Sequence, residues 1–400
     1  MMPPPDADQE DLSATAVLEE LTSGRNLLDG VIPDLPDPLP NGTRFALGSC
    51  QYQAGFLDGP TAYRSYRELG ERLLSEEARP RFVVLTGDQV YVDATAGLFD
   101  PSQSDGRFDL PYHRWLRSRS TRNVLRQIHS YMLLDDHEIE DNWEFPDDTD
   151  DRDKGIESYM KYQRDKKDLP AQRFFPFLFD GFRFFMLDSR TQRQGRKLDN
   201  IRTASLIDQA ELDDTPDKQP QMKALKDWLD DTEESMPNFI VSPSMLVPRH
   251  RRAARWGDPA SALHSDGWDG YPGCLEKLLS LVAENNAQNI VFLSGDEHLG
   301  CIATITIRKL DGGGEVVSEK TCYSIHTSGT YTPYPFANSI PEDWLPETGT
   351  AFTVNNIDYD YTVSYTAYPG EGFTYINVEK QDGKWHMTCE YSGGAALQIF

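Results

Sequence analysis

The 400-residue chain is short of basic residues: 39 Lys and Arg stand against 65 Asp and Glu, a formal charge of −26. That balance excludes extended DNA or RNA as a partner, because nucleic-acid affinity rests on cations that neutralise backbone phosphates. A small anionic substrate stays compatible, provided bound cations create a positive field within the site. Long apolar runs are missing too, so no segment is fit to span a membrane as a helix. Cysteine is scarce: the five residues, at 50, 274, 301, 322 and 389, are odd in number and form no CxxC pair. This argues against a disulfide framework and a cysteine-ligated zinc cluster, and leaves reduced thiols as the expectation. The beginning of the chain has no basic stretch leading into an apolar one, so the expected location is the cytoplasm.

Common catalytic signatures are absent as well. There is no GxxxxGK followed by Ser or Thr, no GxSxG, no HExxH, and no GxGxxG after the first strand. Kinase, serine-hydrolase and zincin readings therefore lose their support.

What is present is alternation. Residues 1–40 read as an N-terminal extension with a helical stretch near 11–22 and a Pro-rich connector, and 41–400 as the catalytic domain. From Arg44 onward, short apolar runs (RFALGSC, RFVVLTGD, YMLLDDHE, FRFFMLDSR, NFIVSPSML, NIVFLSGDEH) alternate with helical patterns near 61–77, 110–127, 155–168, 220–235 and 273–285. This predicts a layered α/β fold. From about residue 301 the pattern turns β-rich, with CIATITIRKL and TCYSIHTSG flanking LDGGG, and FTYINVEK and KWHMTCEY joined by QDGK, the signals of antiparallel hairpins. Residues 332–372 read as a long loop and the acidic run FPDDTDDRD at 145–153 as a solvated one.

Four motifs fall where apolar strands end: GSC at Cys50, GDQVYVD at 87–93, DDHE at 135–138 and GDEH at 295–298. Loops at the carboxyl ends of strands in an open α/β sheet converge on a crevice. Asp88 is a hard oxygen ligand, and Tyr91 can return to the same centre; a phenolate there favours a strong Lewis acid such as Fe3+. Asp93 is within reach of a second, harder cation such as Ca2+. Cys50 offers a soft thiolate. Two carboxylates and an imidazole directly after Leu133 and Leu134 are costly to bury unless a cation neutralises them. Asp296 and His298 can face one ion. Arg190, in LDSR, is suited to clamping phosphoryl oxygens.

In these residues the sequence resembles the alkaline phosphatase D (PhoD-like) family of the calcineurin-like metallophosphoesterase superfamily. GSC, GDQVY, DDHEIEDNW, LDSR, DGWDGYP at 266–272 and SGDEH occur in the family's order, over about 44–340. The resemblance implies a four-layered α/β/β/α fold with mixed sheets and a centre of Fe3+ and Ca2+, with Mn2+ or Zn2+ as alternatives. Carried over, Cys50, Asp88, Tyr91, Asp296 and His298 hold the iron region, with Asp88 bridging towards calcium. Asp136 replaces the superfamily's Asn ligand, and His137 stands at its catalytic His. Arg190 and the DGWDGYP loop become substrate contacts. Where the superfamily often has a His ligand, this chain has Ser242 and Ser244, and LDSR continues as TQR where similar sequences often have an aromatic.

The expected activity is hydrolysis of a small phosphomonoester or phosphodiester by a metal-activated hydroxide, with a phospholipase-type diesterase as a variant. A non-catalytic calcium-binding protein with a silent site is the alternative from another class. Neither composition nor motif fixes an oligomeric state.

Overall fold

The computed structural model describes residues 37–39, 41–54, 59–93, 106–147, 149–164, 173–208, 220–231, 235–251, 259–333, 340–392, 394 and 396–400. The expected N-terminal extension therefore lies almost wholly outside the described residues.

In chain order the strands are β1 (Gly42–Gln51), β2 (Phe82–Leu85), β3 (His129–Met132), β4 (Phe175–Phe179), β5 (Phe182–Met186), β6 (Asn238–Val241), β7 (Arg249–His250), β8 (Ile290–Ser294), β9 (Gly300–Leu310), β10 (Val316–His326), β11 (Gly329–Tyr331), β12 (Trp344–Leu345), β13 (Glu347–Val354), β14 (Ile357–Tyr368), β15 (Thr374–Gln381), β16 (Lys384–Tyr391) and β17 (Leu397–Gln398). One mixed sheet runs β17-β16-β15-β1-β2-β3, with β11 pairing β1; the other runs β13-β14-β9-β10-β8-β6-β5-β4. A two-stranded pair, β12-β7, stands apart.

The apolar runs are continuous because both faces of the central strands are buried. Alternate residues point opposite ways. Phe45, Leu47, Phe82, Val84, Phe184, Met186, Phe239, Val241, Val291 and Leu293 meet between the two sheets. Their intervening neighbours go outward: Ala46, Val83 and Leu85 join the core with Tyr66, Leu69 and Trp115 of the helices Arg64–Arg72 and Leu110–Arg117. Phe185, Ile240, Ile290 and Phe292 pack with Leu225, Leu275 and Leu278 of Gln221–Asp230 and Pro272–Glu284. Helices, sheet, sheet and helices thus form the four layers that the resemblance implies.

Three local expectations need correction. The helix anticipated over 110–127 is two helices, because Ser118 leaves the helical region (ψ 124°) and its side chain caps Arg119–Leu125 by accepting from the Thr121 amide at 3.3 Å. The acidic run at 145–153 is only partly loop: a helix spans Thr149–Tyr162, and Asp150 and Asp151 favour its positive N-terminal end. Within 332–372, β13 and β14 pair antiparallel. They are joined by Asn355 and Asn356, with φ of 52° and 61°. Positive φ at both central residues matches the twist of a tight hairpin, and Asn tolerates it.

Both predicted hairpins downstream of Cys301 form: β9 pairs β10, and β15 pairs β16. All five cysteines are free and buried. Among the described residues no helix is long and apolar enough to cross a membrane.

Candidate metal centre

In one sheet, β1, β2 and β3 run parallel, with Gly48 opposite Leu85 and Leu85 opposite Met132. Their carboxyl ends therefore deliver Cys50, Asp88 and Asp135–Glu138 side by side. In the other, β5, β6 and β8 are also parallel, with Met186 opposite Val241 and Val241 opposite Leu293. They deliver Arg190, Ser242 and Asp296 to the same end of the molecule. The two loop sets meet at Gly295, where a Cβ would lie 2.4 Å from that of Ser49, so glycine alone permits the approach. Gly87 has φ 123° and comes as close to Asp135, which explains the glycine of the other GD motif.

Four of the candidate ligand positions share an unusual backbone. Cys50, Asp88, Asp296 and His298 have φ of 54°, 55°, 84° and 52°. Non-glycine residues adopt this left-handed region at a cost of about 1–3 kcal/mol each, and such residues cluster at functional sites.

Their side chains converge. Cys50, Asp88 and His298 form one group, Asp88, Asp136 and His137 a second, and Asp88, Asp135, Asp136 and Asp296 a third; in each the ligating atoms lie within 4.8 Å of one another. Asp88 belongs to all three. Cys50 Sγ is 3.5 Å from Asp88 Oδ2. Tyr91 Oη is 3.3 Å from His298 Nε2, and its ring stacks on His137 at 4.1 Å between centroids. The structure thus assembles every metal-ligand residue singled out from the four motifs except Asp93.

Asp93 has another task. Its carboxylate oxygens lie 2.9 and 3.0 Å from His137 Nδ1, and Oδ2 also accepts from the Asp141 amide at 2.6 Å. Burial alone would lower the pKa of His137, but Asp136 and Asp93 outweigh it and raise the imidazole to about 9.

The electrostatics fit cations. Burial, then the charges of Asp136 and Cys50, push the Asp88 carboxyl well above its ordinary range. Burial and the neighbouring Asp135 do the same to Asp296. Asp135 rises to about 7, mainly through burial, with Arg190 pulling the other way. Burial raises the Cys50 thiol. Oδ2 of Asp135 and Oδ2 of Asp296 are buried without a hydrogen-bond partner among the described residues. Orphaned carboxylate oxygens in a cluster that cannot ionise together are what bound cations would satisfy. Cys50, Tyr91 and His298 make an end of sulfur, phenol and imidazole donors, and Asp135 and Asp136 an all-carboxylate end.

Arg190 departs from the expected phosphoryl clamp. It is 0% exposed; Nε lies 2.8 Å from Asp135, Nη2 2.6 Å from Asp266, and Nη1 is 3.3 Å from Asp266 and 3.4 Å from the Trp143 carbonyl. Every nitrogen is spent on the protein, so Arg190 organises the floor of the site. The DGWDGYP segment is likewise occupied: Asp266 holds Arg190 and Arg193, and Trp268 Nε1 donates to Ser242 Oγ at 3.0 Å. Ser244 Oγ takes Arg193 Nη2 at 2.8 Å. Both serines thereby serve the framework around the second sheet.

Two residues not singled out from the sequence prove important. Glu138 is fully buried and accepts from the amides of Asp88, Gln89 and Asp135 at 3.0, 2.8 and 3.0 Å, tying two ligand loops together. It stood in the DDHE string, but nothing in the string says that it faces backbone. His326, at the end of β10, sits between the carbonyls of Gly295 and Leu299, within hydrogen-bond reach of both, and so brackets the GDEH loop. No sequence signal marks it.

A cleft of about 420 Å³ opens on the centre, lined by Asp88, Asp136, His137, Asp296 and His298 together with Asn142, Arg196, His250 and His264. It is sized for a small molecule.

Comparison with known proteins gives a family and a fold. No curated protein sequence matches the chain. The solved structure of PhoD matches it with a TM-score of 0.57 at 16% identity, covering 91% of this chain and 70% of PhoD, a likeness of fold. The family model described as PhoD-like phosphatase matches residues 45–387, from the first strand of the core to β16. The chain belongs to the PhoD-like phosphatase family.

Proposed function

We propose that this phosphatase hydrolyses small phosphoesters at a centre of Fe3+ and Ca2+, with Asp88 shared between them. The observation that carries the reading is the membership of Asp88 in all three ligand groups, one containing Cys50 and His298 and another containing only carboxylates. Cys50, Tyr91, His298, Asp88 and Asp296 would hold the ferric ion; Asp88, Asp135 and Asp136 would hold calcium. When bound, such ions polarise phosphoryl oxygens and lower the pKa of water, and they offset the repulsion of the carboxylates.

The chain's own residues then have distinct work. Asp93 fixes the ring of His137 through Nδ1, and the residue lines the cleft. A protonated His137 can donate to the leaving oxygen as the ester bond breaks. Tyr91, stacked against the ring, restrains its tilt. Glu138 and Arg190 hold the motif loops at fixed separation, which is how a site keeps reacting groups aligned. A silent calcium-binding protein would have no use for the Asp93–His137 pair.

The test combines metal analysis of the purified protein with turnover of p-nitrophenyl phosphate and bis(p-nitrophenyl) phosphate before and after chelation. Iron and calcium should be found, and hydrolysis should be lost on chelation and regained on reloading. Activity that survives complete metal removal would sink the reading.

A further inference from the structure

Arg190, Arg193 and Arg196 lie within seven residues of chain, and they differ in one respect. Arg190 and Arg193 have every guanidinium nitrogen bonded to protein: those of Arg193 go to the Ser189 carbonyl, Asp266 and Ser244. Arg196 does not. Its Nε lies 2.9 Å from Glu144 Oε2, and Nη1 is shared among the carbonyls of Ser265, Gly270 and Ala262. Its carbon sits over the Tyr271 ring, 4.6 Å from the centroid, and the Tyr271 hydroxyl donates to the same Glu144 oxygen at 3.2 Å. Nη2 alone has no hydrogen-bond partner among the described residues.

The side chain of Arg196 is only 8% exposed, and it lines the cleft that contains Asp136, His137 and Asp296. The charges around it are Glu144 and Asp266, with Tyr271 beneath, and together they raise its pKa against the burial that would lower it. Held at Nε and Nη1 and stacked on one face, the guanidinium cannot swing away. A fixed, nearly buried cation whose remaining amino group bonds to no protein atom among the described residues is a donor available to an acceptor in the cleft.

We infer that Arg196 Nη2 donates to a non-bridging oxygen of the substrate's phosphoryl group and makes the site prefer a terminal phosphate over a diester. This rests on the phosphoesterase reading above. A terminal phosphate carries three non-bridging oxygens and up to two charges, whereas a diester carries two and one. One fixed cationic donor beyond the metals therefore favours the terminal group. Arg196 takes the role that the sequence suggested for Arg190.

The experiment uses the metal-loaded protein with Arg196→Ala and Arg196→Lys, and reads KM and kcat for p-nitrophenyl phosphate and its bis diester, plus competitive inhibition by inorganic phosphate. In Arg196→Ala, KM for the monoester and Ki for phosphate should rise by about tenfold or more, the size of a charge-assisted hydrogen bond, with a smaller change for the diester. Arg196→Lys should recover part of the loss. Unchanged phosphate Ki, or an equal loss of kcat for both esters at constant KM, would overturn the assignment and leave Arg196 a framework residue. Because Arg196→Ala also frees Glu144 and three carbonyls, melting temperature and metal content are measured alongside. If that variant does not fold, the monoester-to-diester ratio of kcat/KM in Arg196→Lys decides: a fall supports the assignment, an unchanged ratio overturns it. A wild-type protein that hydrolyses neither ester refutes the phosphoesterase reading itself, whereas wild-type activity with variant Ki unchanged refutes only the role of Arg196.

Discussion

Both carboxylate oxygens of Asp93 lie against Nδ1 of His137, at 2.9 and 3.0 Å, in a chain where these residues are 44 positions apart. The loop after β2 therefore does two things at once: Asp88 goes to the candidate metal ligands and Asp93 to the imidazole that lines the cleft.

His137→Asn should lower kcat by about 10²–10⁴-fold, the range of a lost general acid, while metal content stays near that of the wild type. Asp93→Asn should cost about 10–100-fold, the effect of removing an orienting partner. The loss should be larger for an alkyl phosphate, whose leaving oxygen needs the proton, than for p-nitrophenyl phosphate. Equal losses for the two esters would remove His137 from proton donation.

Glu138→Gln keeps the shape of the side chain but replaces an acceptor-only carboxylate with an amide. Three backbone N–H groups and Gln163 Nε2, at 3.1 Å, currently converge on Glu138. Hydrogen bonds to a charged group contribute about 1.5–3 kcal/mol each, so the variant should melt at a clearly lower temperature. Metal stoichiometry should fall with it, because Asp88 and Asp135 are displaced. Calorimetry and elemental analysis check this together.

The Asp266–Arg190 pair predicts a dependence on acid. Burial works to raise the Asp266 carboxyl, but Arg190 and Arg193 outweigh it and hold it well below the ordinary carboxylate range. A folded pKa below the unfolded one stabilises the protein above the unfolded value near ~4, and that contribution is lost as pH falls towards the folded value. Asp266→Asn should therefore destabilise the protein at pH 7 by about 3–5 kcal/mol, since it strands buried guanidinium charge. The gap in denaturant midpoint between variant and wild type should shrink below pH ~4. A gap that does not change with pH would mean that Asp266 acts by shape alone.

Tyr91 and Cys50 carry a spectroscopic expectation. A phenolate or thiolate on Fe3+ gives visible charge-transfer absorption, so the iron-loaded protein should be coloured. Tyr91→Phe or Cys50→Ser should shift or bleach the band. A colourless, iron-free and active enzyme would take both residues out of the ferric site.

Much of this was legible in the chain because its physics is local. Strands β1, β2, β3, β5, β6 and β8 announce themselves as apolar runs ending in polar motifs, since a strand buried on both faces has no polar period. The hairpin β13–β14 was missed because Pro, Gly, Tyr and Asp dominate 332–372 by composition, while the alternation in TAFTV and DYDYTVSY carries the strands. Asp93, Arg190 and Arg196 show a different limit. Each is a charged residue in the loop that follows a strand, and only the tertiary neighbours decide whether it meets metal, protein or cleft. Glu138 and His326 act on backbone carbonyls and amides, which a sequence of side chains does not display.

The left-handed backbone at Cys50, Asp88, Asp296 and His298 filters which donors the centre could ever use. Asp, Asn and His enter that conformation more readily than other non-glycine residues, so three of the four positions hold residue types the chain tolerates there. Val, Ile or Thr would be refused by the main chain before their chemistry could matter. Cys50 stands outside the tolerated set. On the proposed reading it stands there for its sulfur, and redesigning this centre for another metal would meet its firmest resistance at that one atom.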